Sequence, residues 1–277
     1  MPRIPDQLLN SIVYFYPNVE AAERGTPAGG TGFLVDFRSQ SSEQEYRYVI
    51  TNSHVIRSGG VFLRFNVVDG GTNVKEIPQS NWVHHYDSDD ICAAILEKDA
   101  GWSATALQWD NIAATIPRMN ELNMGVGDEV FMLGRFISHS GVQRNQPLAR
   151  FGNIAMMPGE RVLDGRQLRV EAFLVEMRSL AGFSGSPVFV YMGPGTYRGD
   201  GRMMPFYSET ISLIGIDTGH KLLTSTVTDK ATRTRVNDNW VVEQDTGISI
   251  VSPVWKIRQV LDDEDFVKQR KTSSHSS

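Results

Sequence analysis

Apolar residues gather along this chain in short runs, some alternating with polar residues and some continuous, divided by glycine-rich or polar turns. The runs read SIVYFY, GTGFLVDF, YRYVITNSHVI, VFLRFNVV and ICAAIL, then DEVFMLGRF, RFGNIAMM, LRVEAFLVEM, SPVFVYM, ISLIGID, WVVEQ and GISIVS. Runs of this length, rich in β-branched and aromatic residues, predict strands, and their regular spacing predicts an all-β sandwich or barrel architecture. Residues 99–126 carry little strand periodicity and are expected to connect two strand groups, for which two barrels would fit. The expected division is a first barrel over 1–115 and a second over 116–262. Near the end, Val254, Ile257, Val260 and Leu261 recur at helical spacing after Pro253, which predicts a closing amphipathic helix over 253–269. Residues 263–277 are expected to hold the end of that helix and a disordered tail, KTSSHSS.

Composition narrows the classes of function. With 277 residues, 40% hydrophobic and 21% charged, the chain can bury a sizeable core and does not read as disordered. A net charge of -5, with only scattered arginines over 144–170, offers nothing to neutralise a phosphate backbone, so nucleic acid is not an expected partner. No apolar run approaches the roughly eighteen residues a membrane span needs. The single cysteine, Cys92, has no mate for an internal disulfide, and MPRIPDQLLNSIVYFYP lacks the pattern of a leader; a cytoplasmic location is the resulting expectation.

Candidate chemistry begins at GFSGSPVF, residues 182–189, where Ser184 stands between Gly182 and Gly185 just before an apolar strand. Glycines at a sharp bend present a small polar side chain rather than pack it, which reads either as a tight turn or as an exposed nucleophile. A serine hydroxyl needs a base to take its proton and an acid to orient that base. Upstream, YVITNSHVI ends in Thr51-Asn52-Ser53-His54, and YDSDDICAAIL supplies three acids, Asp87, Asp89 and Asp90. Of these, Asp90 directly abuts an apolar strand, whereas Asp87 and Asp89 fall in a polar turn, so Asp90 is the preferred orienting acid. The cluster HHYDSDD could also be read as a metal site, but neighbouring residues of an extended segment face opposite ways, and neither metal nor cofactor is expected.

Together these stretches resemble the chymotrypsin-like serine peptidases, and most closely their bacterial HtrA-type branch. In that family a GTGF strand precedes a TNxHV segment, an acid opens a D-[IL]-x-[AV]-x-[LI] strand, a GDxVxxLG strand starts the second half, and a G-x-S-G-[GS]-P loop carries the nucleophile. Here they stand, in the same order, as GTGF (30–33), TNSHV (51–55), DICAAI (90–95), GDEVFMLG (127–134) and GFSGSP (182–187). The resemblance implies two six-stranded antiparallel barrels of chymotrypsin type, the first carrying His54 and Asp90 and the second Ser184, closed by a C-terminal helix. It implies a serine endopeptidase acting on a protein or peptide substrate, with Ser184 as nucleophile, His54 as base and Asp90 as orienting acid. The backbone N–H groups of Gly182 and Ser184 would form the oxyanion hole.

The resemblance also implies where the cleaved residue's side chain binds. The pocket floor falls at Arg178 with Ser179, and its walls at Thr218-Gly219-His220 and Gly247. If Arg178 and His220 point inward, an acidic side chain is favoured; if Arg178 turns outward, Leu180 and Ile216 help form a small apolar pocket. Digestive members carry an aspartate just before the serine, which pairs with a newly cut N-terminus; here Phe183 stands there and no IVGG-like segment occurs, so activation by cleavage is not expected. HtrA-type enzymes also lack that aspartate, which leaves regulation by a partner protein or ligand open; the PDZ domain that usually follows is not expected here. An α/β-hydrolase is set aside, because GFSGS fails the G-x-S-x-G pattern and no βαβ alternation surrounds it. A catalytically impaired domain that binds extended peptides along ISLIGIDTG by strand addition is the alternative. Two long insertions, 191–210 and 220–240, are expected to flank the cleft.

Overall fold

The computed structural model describes residues 3–26, 29–39, 44–87, 89–204, 210–237 and 239–274. Its first strands are β1 (Ile12–Tyr16), β2 (Gly30–Arg38), β3 (Glu45–Thr51), β4 (Phe62–Asn66), β5 (Thr72–Glu76), β6 (Val83–His84), β7 (Cys92–Ile95) and β8 (Leu107–Gln108). They pair in the order β5-β4-β1-β2-β3-β7-β6, with β8 alongside β2. The second group comprises β9 (Glu129–Gly134), β10 (Leu148–Met156), β11 (Val162–Leu163), β12 (Arg169–Val170), β13 (Phe173–Glu176), β14 (Pro187–Met192), β15 (Thr210–Thr226) and β16 (Val241–Pro253). Six of these close a barrel in the order β10-β13-β16-β15-β14-β9, while β11 and β12 form a separate small hairpin. The expected closed barrel is thus present in the second half. In the first half, the pairing among described residues is an eight-stranded sheet rather than a closed six-stranded ring.

The continuous apolar runs follow from strands buried on both faces. In β1, Val13 and Phe15 join one core cluster with Leu34 and Val49, while Ile12, Tyr14 and Tyr16 face a second cluster with Phe33, Tyr48 and Ile50. That second cluster also holds Phe131, Leu133, Phe189 and Ile216 of the barrel strands, so it is the seam between the two halves. Inside the barrel, Val130, Met132, Val175, Val188 and Ile214 form a third cluster.

Two details differ from the sequence expectation. The closing helix is two helices, Val254–Leu261 and Glu264–Ser274, broken at an Asp-Asp pair. Asp262 is held back by Arg258 at 2.5 Å, and the Asp263 side chain accepts from Asp265 N at 2.9 Å, which ends one helix and caps the next. The helix therefore extends into the segment expected as a tail, whose residues 275–277 lie outside the described set. The 220–240 insertion is not a plain loop: β15 and β16 continue their pairing as far as Thr226↔Val241, drawing the barrel strands out into a long hairpin. Among the described residues, no helix is long and apolar enough to cross a membrane.

Candidate active site

β3 delivers the TNSHV segment. It ends at Thr51, and a short helix, Ser53–Arg57, starts after Asn52, placing His54 in the first turn, where backbone N–H groups lack partners within the helix. Asp90, just before β7, takes one of them: its Oδ1 accepts from His54 N at 2.9 Å, while its Oδ2 lies 2.5 Å from His54 Nδ1. Asn52 Nδ2 and Ser53 Oγ fix the same segment by donating to Asp90 O at 2.8 Å and Ile91 O at 3.0 Å. The Asp90 side chain is 5% exposed and that of His54 47%, so the acid is hidden and the imidazole reaches the open cleft. Burial alone would raise the Asp90 carboxyl, but the hydrogen bonds and charge of His54, with a further contribution from Arg166, hold it below its ordinary value. A carboxylate against Nδ1 fixes the proton on that nitrogen and leaves Nε2 as acceptor.

The serine arrives on a sharply bent loop before β14. Phe183 N donates to Leu180 O at 3.0 Å and Gly182 has φ of +95°, while Ala181 is not among the residues of positive φ. This is a type II turn, whose third position needs positive φ and whose central peptide is flipped relative to type I. Gly185 follows at φ +88°, and a side chain there would meet Thr31 O at 2.1 Å. Between them Phe183 is fully buried in the barrel core, with the Arg150 guanidinium 5.4 Å from its ring centre. Packing of an apolar ring thus anchors the turn, and Ser184 is left half-buried. His54, Asp90 and Ser184 border one cleft of about 340 Å³, together with Ser179, Leu180, Ala181, Thr218, Gly219, His220 and the tip of the β11–β12 hairpin, Asp164 to Arg166.

The other pocket expectations divide. Arg178 is exposed between buried Met177 and Ser179 and is not on the cleft wall; strand-like alternation turns its guanidinium to solvent. The basic floor that would favour an acidic side chain is therefore absent at Arg178. Gly247 is also off the cleft, its carbonyl accepting from Met177 N at 2.7 Å. Ile216 belongs to the seam rather than to the pocket. His84 and His85 face apart: His84 Nδ1 meets Ser53 Oγ at 2.8 Å, whereas His85 Nε2 meets Gln259 Oε1 at 2.8 Å.

The chain is similar in structure to an HtrA-type protease. That protein, AlgW, solved with a tripeptide, is 12% identical, at a TM-score of 0.49 over 94% of this chain and 62% of its own. The crystal structure of Deg5 matches at 16% identity and a TM-score of 0.46, over 77% of this chain and 81% of its own. No family model matches the chain, and no curated protein matches it in sequence. The chemistry accordingly rests on the residues of this chain.

Two residues of consequence were not singled out from the sequence. Thr31 braces the serine loop to the first sheet: its N donates to Ser184 O at 2.9 Å, its Oγ1 donates to Gly182 O at 2.6 Å, and Arg135 N donates to that same Oγ1 at 2.8 Å. The signal was a hydroxyl between the glycines of GTGF, where close backbone approach is needed. Asp217, in β15, is fully buried behind Ser179; an acid inside the apolar run ISLIGID was its signal.

Proposed function

We propose that this chain is a serine endopeptidase that cuts peptide bonds through an acyl-enzyme. The observation that carries this reading is the doubly hydrogen-bonded His54–Asp90 pair opening onto the same cleft as Ser184. In the proposed reaction His54 Nε2 takes the Ser184 hydroxyl proton as Oγ attacks the scissile carbonyl, and returns it to the leaving amine. A water then repeats the cycle on the ester. Asp90 holds the imidazole and stabilises its cation. The N–H groups of Gly182 and Ser184 engage no partner among the described hydrogen bonds, which suits them to receive the developing oxyanion. The type II turn supports this role, since reverting to type I would reverse the N–H of Gly182.

One observation favours the second reading, a domain that binds extended peptides without cutting them: among the described residues no hydrogen bond joins His54 to Ser184 Oγ. Such bonds are often long before substrate binds. A fluorophosphonate probe separates the two readings. Labelling is expected at Ser184, found by peptide mass mapping, and lost in Ser184→Ala and His54→Ala. Turnover of an unfolded protein substrate should vanish with it and fall about 10⁴-fold in Asp90→Asn. Undiminished turnover by purified Ser184→Ala would overturn the assignment.

A further inference from the structure

Behind the wall of the cleft lies a carboxyl that the triad does not use. Asp217 is 0% exposed. Its Oδ2 accepts from Ser179 Oγ at 2.7 Å, its Oδ1 has no hydrogen-bond partner, and no cation is paired with it among the described residues. Its neighbours Ser179, Thr218 and Gly219 all border the cleft. The backbone explains the placement. Pairing of β15 with β16 slips between Asp217 and Gly219, a bulge of the kind that re-aims a side chain beside a site. Asp217 N donates to Ser186 O at 2.9 Å and Asp217 O accepts from Gly185 N at 3.0 Å, tying the acid to the loop that carries Ser184.

A buried acid with one oxygen unpartnered is costly to ionise. Burial pushes the Asp217 pKa up to about 8 despite the help of Ser179 and of the Gly219 N–H, so the carboxyl on its own is protonated at neutral pH. An ammonium or guanidinium would supply the missing counter-charge and donors, whereas an aliphatic side chain would leave the acid as it is. Among the described residues no other cation claims the position: Arg178 is exposed, and Arg166, which also borders the cleft, is paired with Asp164 at 2.7 Å. Resting on the serine-peptidase reading above, we infer that the primary pocket selects a cationic side chain, lysine or arginine, at the residue whose carbonyl is attacked, with Asp217 as its counter-charge and Ser179 as the hydrogen-bonding wall.

The test has a catalytic arm and a binding arm. In matched peptides that differ only at the cleaved residue, kcat/KM for lysine or arginine should exceed that for norleucine, valine or glutamate by about tenfold or more, and Asp217→Asn should erase the preference. Norleucine or valine cleaved as well as lysine by the unaltered chain makes Asp217 a structural acid only and overturns the inference, whether or not the variant folds. The binding arm uses Ser184→Ala and p-aminobenzamidine, an arylamidinium whose fluorescence reports a dry pocket. Saturable binding, weakened about tenfold or more by adding Asp217→Asn, supports the cationic pocket even if the chain proves not to cleave. No binding, or binding indifferent to Asp217, rejects it. Loss of fluorophosphonate labelling with amidinium binding retained would instead fault the peptidase reading alone.

Discussion

Asp87, Asp89, Asp90 and Asp217 share one side chain, and their surroundings assign them four roles. Asp87 is exposed and meets Arg161 at 3.5 Å on the surface. Asp89 is buried against Lys256 at 3.1 Å and His85 at 3.4 Å, an ion pair that ties the first half to the helix Val254–Leu261. Asp90 faces His54, as its position against an apolar strand suggested. That much was legible, because the strand boundary is written in the sequence. The isolation of Asp217 was not, since it depends on a bulge and on a wall contributed by another segment. The two acids titrate in opposite senses. Asp90 sits below its ordinary value, so its stabilising effect is present at neutral pH and is lost in acid. Asp217, near 8 when folded, keeps a proton that the unfolded chain releases above about 4. Between those limits the unfolded state binds fewer protons, so rising pH costs stability at this site, by at most about 1.4 kcal/mol per unit. Asp217→Asn should therefore raise the unfolding free energy by about 1–4 kcal/mol more at pH 8 than at pH 5. Urea titrations at the two values check this, and an identical effect at both would show that the carboxyl is not shifted.

At the scale of elements, the serine turn is held from two sides. Phe183 fills the barrel core beneath it, and β2 grips it from across the seam through Thr31. The sequence showed Phe183 only as a residue unable to form the ion pair that the digestive enzymes make there; its burial in the barrel core depends on strands distant in the chain. The grip was hidden, because a threonine in a strand shows nothing of a contact 151 residues away. Thr31→Val keeps the shape of the side chain and leaves Gly182 O and Arg135 N unsatisfied, at a cost of about 1–3 kcal/mol in stability. If the hydrogen bond holds the oxyanion turn, kcat should fall about tenfold or more with KM little changed, and Thr31→Ser should restore it. A variant that loses stability but keeps kcat would reduce Thr31 to a structural brace. The β15–β16 hairpin shows the reverse failure of reading. Its long polar sequence suggested a loop, yet backbone pairing carries the strands beyond the barrel with Leu222, Leu223, Trp240, Val241 and Val242 exposed. Periodicity reports burial, and a strand with little buried face gives little signal.

Across the whole molecule, the strand groups were legible as two halves, but their dependence on each other was not. The seam draws Phe33 and Tyr48 from the first sheet, Phe131 and Phe189 from the barrel, and Ile257 and Phe266 from the closing helices into one buried cluster. The last helix is integral to it: Phe266 packs edge-on against Tyr48 with ring centres 5.0 Å apart, and Arg270 Nη1 donates to Tyr48 OH and to Leu261 O, each at 3.0 Å. His54 and Ser184 lie on opposite sides of this seam, so the proposed chemistry exists only while it is closed. Phe266→Ala should then cost about 3–5 kcal/mol, although the residue is remote in sequence from His54, Asp90 and Ser184. It should lower the midpoint of a single transition, in which circular dichroism, tryptophan fluorescence and loss of fluorophosphonate labelling coincide. Two separate transitions, with the first sheet melting apart from the barrel, would mean that each half has its own sufficient core and that the seam only docks them.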